Sequence, residues 1–310
     1  MKYYVGFDIG GTTIKHGVVD ESGQIIVKSS IETPQERDLF ITTLADLVKT
    51  YQLKYAIEAV GVCTPGIVQK DGYLLTAGAI KCMYGVNLKT ELEKQINLSV
   101  TVENDANAAA IAEHWLGAAV GIDNYLCLVI GTGFGGGIVI NGQIYRGAHG
   151  MAGEFGWSIT QDIDLTKDLE EKSLNVTSAV VGGLCYQYSQ SKIQVDPTFK
   201  PIKDARIIFE AAHNGETLAK IVLNKFYYSL ATGILNLTAN FDPEVILIGG
   251  GISANQEFNE NLQAAVKDLE TRHRSIHAVM DQAIAPVKST KLLNDSGLIG
   301  AVYQIFHNKN

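Results

Sequence analysis

The feature that most constrains the fold is a chain segment that occurs twice. Residues 7–19 read FDIGGTTIKHGVV and lead into the turn DESGQ, and residues 129–140 read VIGTGFGGGIVI and lead into the turn NGQ. Each segment is typical of a strand, a glycine-rich turn, a second strand and a hairpin turn. A repeat at this separation predicts an internal duplication, in which the two halves of the chain have similar structures. The alternative is that two unrelated glycine turns happen to look alike.

Between and after these segments, apolar runs alternate with amphipathic ones. Such alternation predicts an α/β protein with largely buried sheets. We expect a small N-terminal domain over residues 1–117, with the last helix, 295–310, packing on it. A larger C-terminal domain should then cover 118–294. The main predicted helices are at about 35–50, 106–118, 175–190, 203–213, 216–239, 254–271 and 295–306.

Composition excludes several classes of partner. The 310 residues are 46% hydrophobic and carry a net charge of -8. An acidic chain without a long basic run argues against binding to nucleic acid or to a membrane surface. The N-terminus resembles no signal peptide, and the apolar stretch 126–140 is interrupted by glycines. The cysteines are too far apart for a zinc or disulfide pattern, which favours free thiols in the cytoplasm; they are Cys63, Cys82, Cys127 and Cys185.

Two acidic segments could carry chemistry. In VENDAN, Asn104 and Asp105 stand where a strand gives way to a helix. They could cap the helix, or Asp105 could accept a proton from a substrate hydroxyl while Asn104 orients neighbouring hydroxyls; the two roles can coexist. In AGEFGW, Glu154 lies between glycines, where a carboxylate could bind vicinal hydroxyls. The alternative for Glu154 is a solvated turn residue.

Three glycine-rich turns could bind phosphate groups. Their backbone N–H groups can approach an anion closely, and Asp8 at the end of the first strand could hold a hydrated Mg²⁺. Ordinary tight turns remain the alternative for each. No lysine or arginine cluster lies near these turns in sequence, which favours a neutral polyol acceptor with phosphate arriving on a nucleotide. The predicted nucleotide-binding residues are Asp8, Gly10, Gly11, Thr12, Thr13, Gly131, Thr132, Gly133, Gly249, Gly250 and Gly251.

Seven motifs, in order and spacing, resemble the ROK sugar kinases over essentially the whole chain: DIGGTTIK, PG at 65–66, VENDAN, IGTGFGGG, GEFG, FDPEVILIGGG and SGLIGAVY. The resemblance implies an actin-like, ribonuclease H-like duplicated fold with an active-site cleft between two domains. It also implies transfer of the γ-phosphoryl group of ATP, with Mg²⁺, to a sugar hydroxyl, and a homodimer. By the same resemblance Asp105 is the base, and Asn104, Glu154 and Gly66 bind the sugar.

The sequence departs from many members of that family in one region. Those members have a histidine after GExG and then a CxCGxxGCxE zinc motif. This chain has Trp157 at the position of the histidine and lacks the cysteines of that motif. Because the cysteines of the zinc motif are missing, we expect no zinc. Asn175 stands where their motif ends in a sugar-binding glutamate. The aromatic residue and the SxN at 173–175 are similar to bacterial β-glucoside kinases. Trp157 and Asn175 are therefore predicted to contact the sugar. Alternatively, Trp157 packs in place of the zinc.

The expected reaction is phosphorylation of the 6-hydroxyl of a glucose-type sugar, with a β-glucoside as the best candidate. Glucokinase, N-acetylmannosamine kinase and fructokinase activities remain alternatives from the same family. A sugar-responsive regulator is a further alternative, and we expect it least. Such regulators carry a helix-turn-helix domain before the first strand, which here begins at Tyr3.

Overall fold

The computed structural model describes residues 1–307, and these contain twelve strands and ten α-helices. The strands are β1 Tyr3–Ile9, β2 Thr13–Asp20, β3 Ile25–Glu32, β4 Ile57–Thr64, β5 Tyr73–Leu74, β6 Val86–Asn87, β7 Ser99–Asn104, β8 Tyr125–Ile130, β9 Phe134–Ile140, β10 Gln143–Ile144, β11 Val245–Gly249 and β12 Val287–Ser289. The helices are α1 Arg37–Gln52, α2 Leu88–Ile96, α3 Asp105–Leu116, α4 Leu174–Ser178, α5 Tyr186–Val195, α6 Arg206–His213, α7 Thr217–Phe241, α8 Gln256–Arg272, α9 Arg274–His277 and α10 Ser296–His307.

Two five-stranded sheets repeat one topology. Their strand orders are β3-β2-β1-β4-β7 and β10-β9-β8-β11-β12. In the first, β1 pairs antiparallel with β2 and parallel with β4, and β4 pairs parallel with β7. In the second, β11 pairs parallel with both β8 and β12. The first strand of each half is thus central in its sheet. The internal repeat predicted from the sequence is confirmed.

The contacts divide the chain into two compact units. The first contains Met1–Asp123, Gly137–Gly153 and the chain from Asn294 onward; the second contains Asn124–Gly136 and Glu154–Leu293. The sequence-based division had placed all of 118–294 in one domain. The structure instead assigns 118–123 and Gly137–Gly153 to the first unit.

The core of the first unit lies on both faces of its sheet. Because side chains alternate along a strand, Val5, Phe7 and Ile9 of β1 enter a buried cluster with apolar residues of α1 and α2. Tyr4 points the opposite way and packs with residues of α10, including Leu298. Asp8 follows the parity of Tyr4, so its carboxylate emerges on the α10 face of the sheet.

The second unit is organised around α7. This helix buries one apolar face, and the ring centroids of Phe226 on α7 and Phe258 on α8 are 6.1 Å apart. The β8 and β11 strands are buried almost throughout. Although α7 has 25 residues, none of the helices within residues 1–307 is long and apolar enough to cross a membrane.

The helix predicted at 175–190 is interrupted. The structure has α4, then a turn of π-helix at Val180–Cys185, then α5. The N–H of Val180 donates to the Gly131 carbonyl at 2.9 Å, and the N–H of Gly182 donates to the Thr132 carbonyl at 3.0 Å. These amides bind a distant turn instead of the preceding helical turn. The sequence analysis also missed α2, whose start is capped by the Asn87 side chain.

Packing of α10 generates a stability prediction. Gly300 lies where α10 meets α3, and a Cβ there would collide with the carbonyl oxygen of Ala108. Gly300→Ala should therefore lower the free energy of unfolding by ~1–3 kcal/mol, the usual cost of overpacking a core. Urea unfolding measures it. Ala264→Ser, which also adds one atom but at an exposed site on α8, should change little. Equal stability of the two variants would contradict the close approach.

Candidate active site

Polar side chains of the first unit meet at one edge of its sheet. In the parallel register, Asp8 of β1 is opposite Cys63 of β4, and Cys63 is opposite Glu103 of β7. The carboxyl ends of parallel strands lie at the same edge, which is where open α/β sheets bind ligands. Three residues far apart in sequence therefore form one row, immediately before Asn104 and Asp105.

Asn104 caps α3 and is held on two sides. Its Oδ1 accepts hydrogen bonds from the backbone N–H groups of Ala106 and Asn107, at 2.9 and 3.0 Å. Its Nδ2 donates to the carbonyl of Gly66 at 2.9 Å. The capping interpretation is confirmed, and Gly66 proves to be a neighbour of Asn104. The amide is thus fixed in place rather than free to rotate.

Asp105 is the first residue of α3 and has an unusual proton affinity. Its Oδ1 accepts the N–H of Ala106 at 2.8 Å. Burial raises the pKa of Asp105 from 3.8 to about 6, and the negative charge of Asp8 adds to the rise, while the N–H of Ala106 opposes it. A carboxylate whose pKa lies near the working pH is suited to act as a general base.

Asp8 lies between a cation and a thiol. Lys15 Nζ is 3.1 Å from its Oδ2, and Cys63 Sγ is 3.5 Å from its Oδ1. Burial, and then the charges of Asp8 and Asp105, raise the pKa of Cys63 well above its ordinary value, so this thiol stays protonated. Both Cys63 and Lys15 are site neighbours that the sequence analysis missed.

The surroundings of Asp8 fit a hydrated magnesium ion. Mg²⁺ usually keeps several waters and takes one or two carboxylates together with substrate phosphates. The Asp8 side chain is 19% exposed, so a single carboxylate reachable through water fits that mode of binding. Within residues 1–307 there is no group of three or more His, Cys, Asp or Glu side chains that could hold a metal ion.

The first glycine-rich turn is closed by its own backbone. The N–H of Gly10 donates to the Thr13 carbonyl at 2.9 Å. Thr33 holds the turn from outside, because its hydroxyl donates to the Gly10 carbonyl at 2.6 Å and its N–H to the Thr12 carbonyl at 3.0 Å. Gly11 is partly buried, and the side chains of Thr12 and Thr13 are exposed. The turn therefore presents hydroxyls to solvent from a fixed backbone.

In the second unit, two glycine-rich segments lie at one edge of the sheet. The register pairs Gly249 with Val129, directly before the turn at Gly131. Gly250 has φ +89°, and a Cβ there would collide with the Ile130 carbonyl, so only glycine fits. Around Gly251 the space is open. Thr132 and Gly133, which complete the predicted set, are exposed on the same turn.

Three of the residues predicted to bind the sugar belong to the second unit; they are Glu154, Trp157 and Asn175. Asn175 Oδ1 accepts the N–H of Phe134 at 3.0 Å, and its Nδ2 donates to Glu170 at 3.3 Å. Trp157 is 50% exposed. Its backbone N–H donates to the Glu154 carbonyl at 3.1 Å. Both polar atoms of the Asn175 amide are thus engaged within the protein, whereas a large part of the Trp157 indole faces solvent.

The raised pKa of Asp105 predicts a pH-dependent stability. The folded protein binds this proton more tightly than the unfolded chain, because the pKa is about 6 in one and 3.8 in the other. Stability therefore falls as pH rises through that window, and Asp105→Asn removes the loss. The variant should be more stable than wild type at pH 8, by at most ~3 kcal/mol.

Thermal unfolding at several pH values measures this difference, which should shrink as pH falls below the folded-state pKa of about 6 and vanish below pH ~3, where the carboxyl is protonated in both states. Asp281→Asn is the control, because the Asp281 side chain is 90% exposed. A gain in stability for Asp105→Asn that persists unchanged at pH 4 would show that the cause is not titration.

Comparisons with known proteins identify the family of this chain. The model of the ROK family matches residues 4–308. A β-glucoside kinase of Listeria innocua is 35% identical over 307 residues, covering 98% of this chain and 97% of the relative. A ROK family protein from Streptococcus pneumoniae in complex with sucrose has a TM-score of 0.85 and 27% identity, covering 99% of both chains.

A ROK family glucokinase from Streptomyces griseus, solved with glucose and AMPPNP, has a TM-score of 0.78 and 28% identity, covering 97% of this chain and 98% of the glucokinase. The actin-like fold predicted from the sequence is confirmed, because the two sheets share one topology and the solved ROK family structures are similar to it. The match of the family model and the identity to the Listeria innocua kinase, each over nearly the whole length, show that this chain belongs to the ROK family.

Proposed function

We propose that the protein is an ATP-dependent sugar kinase that phosphorylates the 6-hydroxyl of a glucose-type sugar, with a β-glucoside as the preferred acceptor. The observation that carries the proposal is Asp105, a carboxylate with a pKa of about 6 adjacent to an immobilised Asn104 amide. The relatives support it, since one is named a β-glucoside kinase and another is a glucokinase with glucose and an ATP analogue.

On the acceptor side, Asp105 accepts the proton of the 6-hydroxyl as that oxygen attacks the γ-phosphorus; the bond from the γ-phosphorus to the β-phosphate oxygen breaks, and ADP leaves. The pKa of about 6 leaves the carboxylate mostly ionised at pH 7 yet able to hold a proton. Asn104 and Glu154 bind neighbouring hydroxyls of the sugar. Gly66 acts through its carbonyl, which fixes the Asn104 side chain.

On the donor side, phosphoryl transfer needs mainly positioning and neutralisation of charge. The backbone N–H groups and hydroxyls of the turns at 10–13, 131–133 and 249–251 bind the nucleotide phosphates. Asp8 would hold hydrated Mg²⁺, which would neutralise charge on the phosphates. Lys15, already 3.1 Å from Asp8, keeps that carboxylate oriented.

Specificity for a β-linked group rests on Trp157. An indole that is 50% exposed offers a flat apolar face, and such a face can stack on a sugar ring or an aromatic aglycone. Asn175 shapes this part of the site indirectly, because its oxygen holds the Phe134 N–H. The protein also works, in this proposal, as a cytoplasmic homodimer without zinc. The free state of all four cysteines fits a reducing compartment.

The base assignment is tested by replacing Asp105. Asp105→Asn should lower kcat by at least ~10²-fold, because a lost general base typically costs that much. Wild-type kcat/KM should fall on the acid side with a midpoint near the pKa of about 6. A coupled ADP-release assay measures both, with Asp281→Asn as the control for charge removal at an exposed site. A folded Asp105→Asn enzyme with normal turnover would sink the assignment.

The acceptor preference is tested with a sugar panel. Salicin or cellobiose should have a higher kcat/KM than glucose, N-acetylmannosamine or fructose in the presence of Mg²⁺. Trp157→Ala should raise KM for salicin by ~3–10-fold, the loss of one stacking contact, and leave KM for glucose nearly unchanged. Preference for glucose or N-acetylmannosamine with no effect of the tryptophan would reject the β-glucoside assignment and keep the kinase.

A further inference from the structure

An ion pair between a buried carboxylate and a partly exposed arginine lies next to the proposed acceptor site. The Glu103 side chain is only 4% exposed, whereas that of Arg146 is 31% exposed. Arg146 Nε donates to Glu103 Oε2 at 2.9 Å, and Nη2 contacts the same oxygen. Arg146 Nη2 also donates to Gln304 of α10 at 3.2 Å. A guanidinium held by three polar contacts is a fixed partner rather than a mobile surface charge.

The other carboxylate oxygen of Glu103 faces the acceptor site. Oε1 accepts the backbone N–H of Asn104 at 2.9 Å and the Nδ2 of Asn107 at 2.9 Å. Glu103 thus holds the main chain of Asn104 and also a side chain of the first turn of α3. The orientation of Asn104 and Asp105 therefore depends on where Arg146 holds this carboxylate.

Arg146 also fixes the chain that leads toward Glu154. Its carbonyl accepts the N–H of Ala152 at 3.2 Å, which closes the loop 146–152. Within that loop Gly150 lies against the Val68 carbonyl, where an added Cβ would be 2.5 Å from the oxygen. Val68 is two residues after Gly66, whose carbonyl binds Asn104. Arg146 therefore closes the loop 146–152 with its carbonyl and reaches the cap of α3 through Glu103. The same loop packs against Val68, near the residues that follow β4.

We propose that Arg146, acting through Glu103, is a positioning residue for the sugar-binding amide and the base. This inference rests on the kinase function proposed above and adds to it a residue that touches neither substrate. Because the pair serves the acceptor side, its loss should affect the sugar more than the nucleotide. Losing Arg146 leaves a buried carboxylate without its cation, which is strongly unfavourable, so Glu103 is expected to shift toward water and pull Asn104 with it.

The test compares two single variants of Arg146 with a double variant that also changes Glu103. Arg146→Met should lower kcat/KM for the sugar by at least ~10-fold, since small misplacements of reacting groups cost this much or more. Combining it with Glu103→Gln should recover most of the loss, because the amide oxygen still accepts the Asn104 N–H and no buried charge remains. Arg146→Lys, which keeps the charge without the forked donors, should lie in between. KM for ATP should stay within ~2-fold of wild type throughout.

Arg206→Met is the matched control, since Arg206 also pairs with a carboxylate, Asp204, but its side chain is 89% exposed. It should retain wild-type kinetics. If Arg146→Met proves unfolded, Arg146→Lys and the double variant still decide the question, because a structural role alone predicts no difference between sugar and ATP. Equal losses for both substrates, or no recovery in the double variant, overturn the positioning role.

The proposed function fails in a different way. Wild-type enzyme that turns over no sugar of the panel rejects the kinase proposal and this inference together. Wild-type enzyme that is active, with Arg146→Met equally active on the sugar, rejects only the inference.

Discussion

Three acidic side chains at one edge of the first sheet have been given three different electrostatic environments, and the chemistry of the site depends on that difference. Asp8 is paired with Lys15, and Glu103 with Arg146. Asp105 is held by a backbone N–H, and burial and the charge of Asp8 raise its pKa. The three carboxylates therefore differ in their partners, which are a lysine, an arginine and a backbone N–H. The parallel register of β1, β4 and β7 is what brings them together.

Duplication supplies two such edges, and each half uses its own differently. The first unit combines its glycine turn with acids and an amide, the groups suited to a hydroxyl-bearing acceptor. The second unit combines its two glycine-rich segments with Asn175, whose Oδ1 accepts the N–H of Phe134 at the start of β9. The repeat therefore set the backbone design, whereas the side chains at each edge set the chemistry.

Features encoded by neighbouring residues were predictable from the sequence. The hairpins, the cap at Asn104 and the strand ending in three glycines all have local signals. Arg146 had none, because its partner Glu103 is 43 residues away, and charge pairing at that distance follows only from the fold. The π-helical turn at Val180–Cys185 was missed for the same reason, since its amides bind the turn at Gly131. Contact of Asn175 with the sugar stays a prediction, whereas its hydrogen bonds with Phe134 and Glu170 had no local signal in the sequence.

The position of α10 has a consequence for how the chain is made. This helix is built from Ser296–His307, yet its apolar residues complete a cluster with Tyr4, Val19 and Ala59 of the first sheet. During synthesis from the N-terminus, that face of the sheet stays uncovered while the chain grows from Ala59 to Leu298. Contacts between the ends of a chain also form slowly. One apolar face of the first sheet therefore stays exposed to solvent in the nascent chain until α10 has been made.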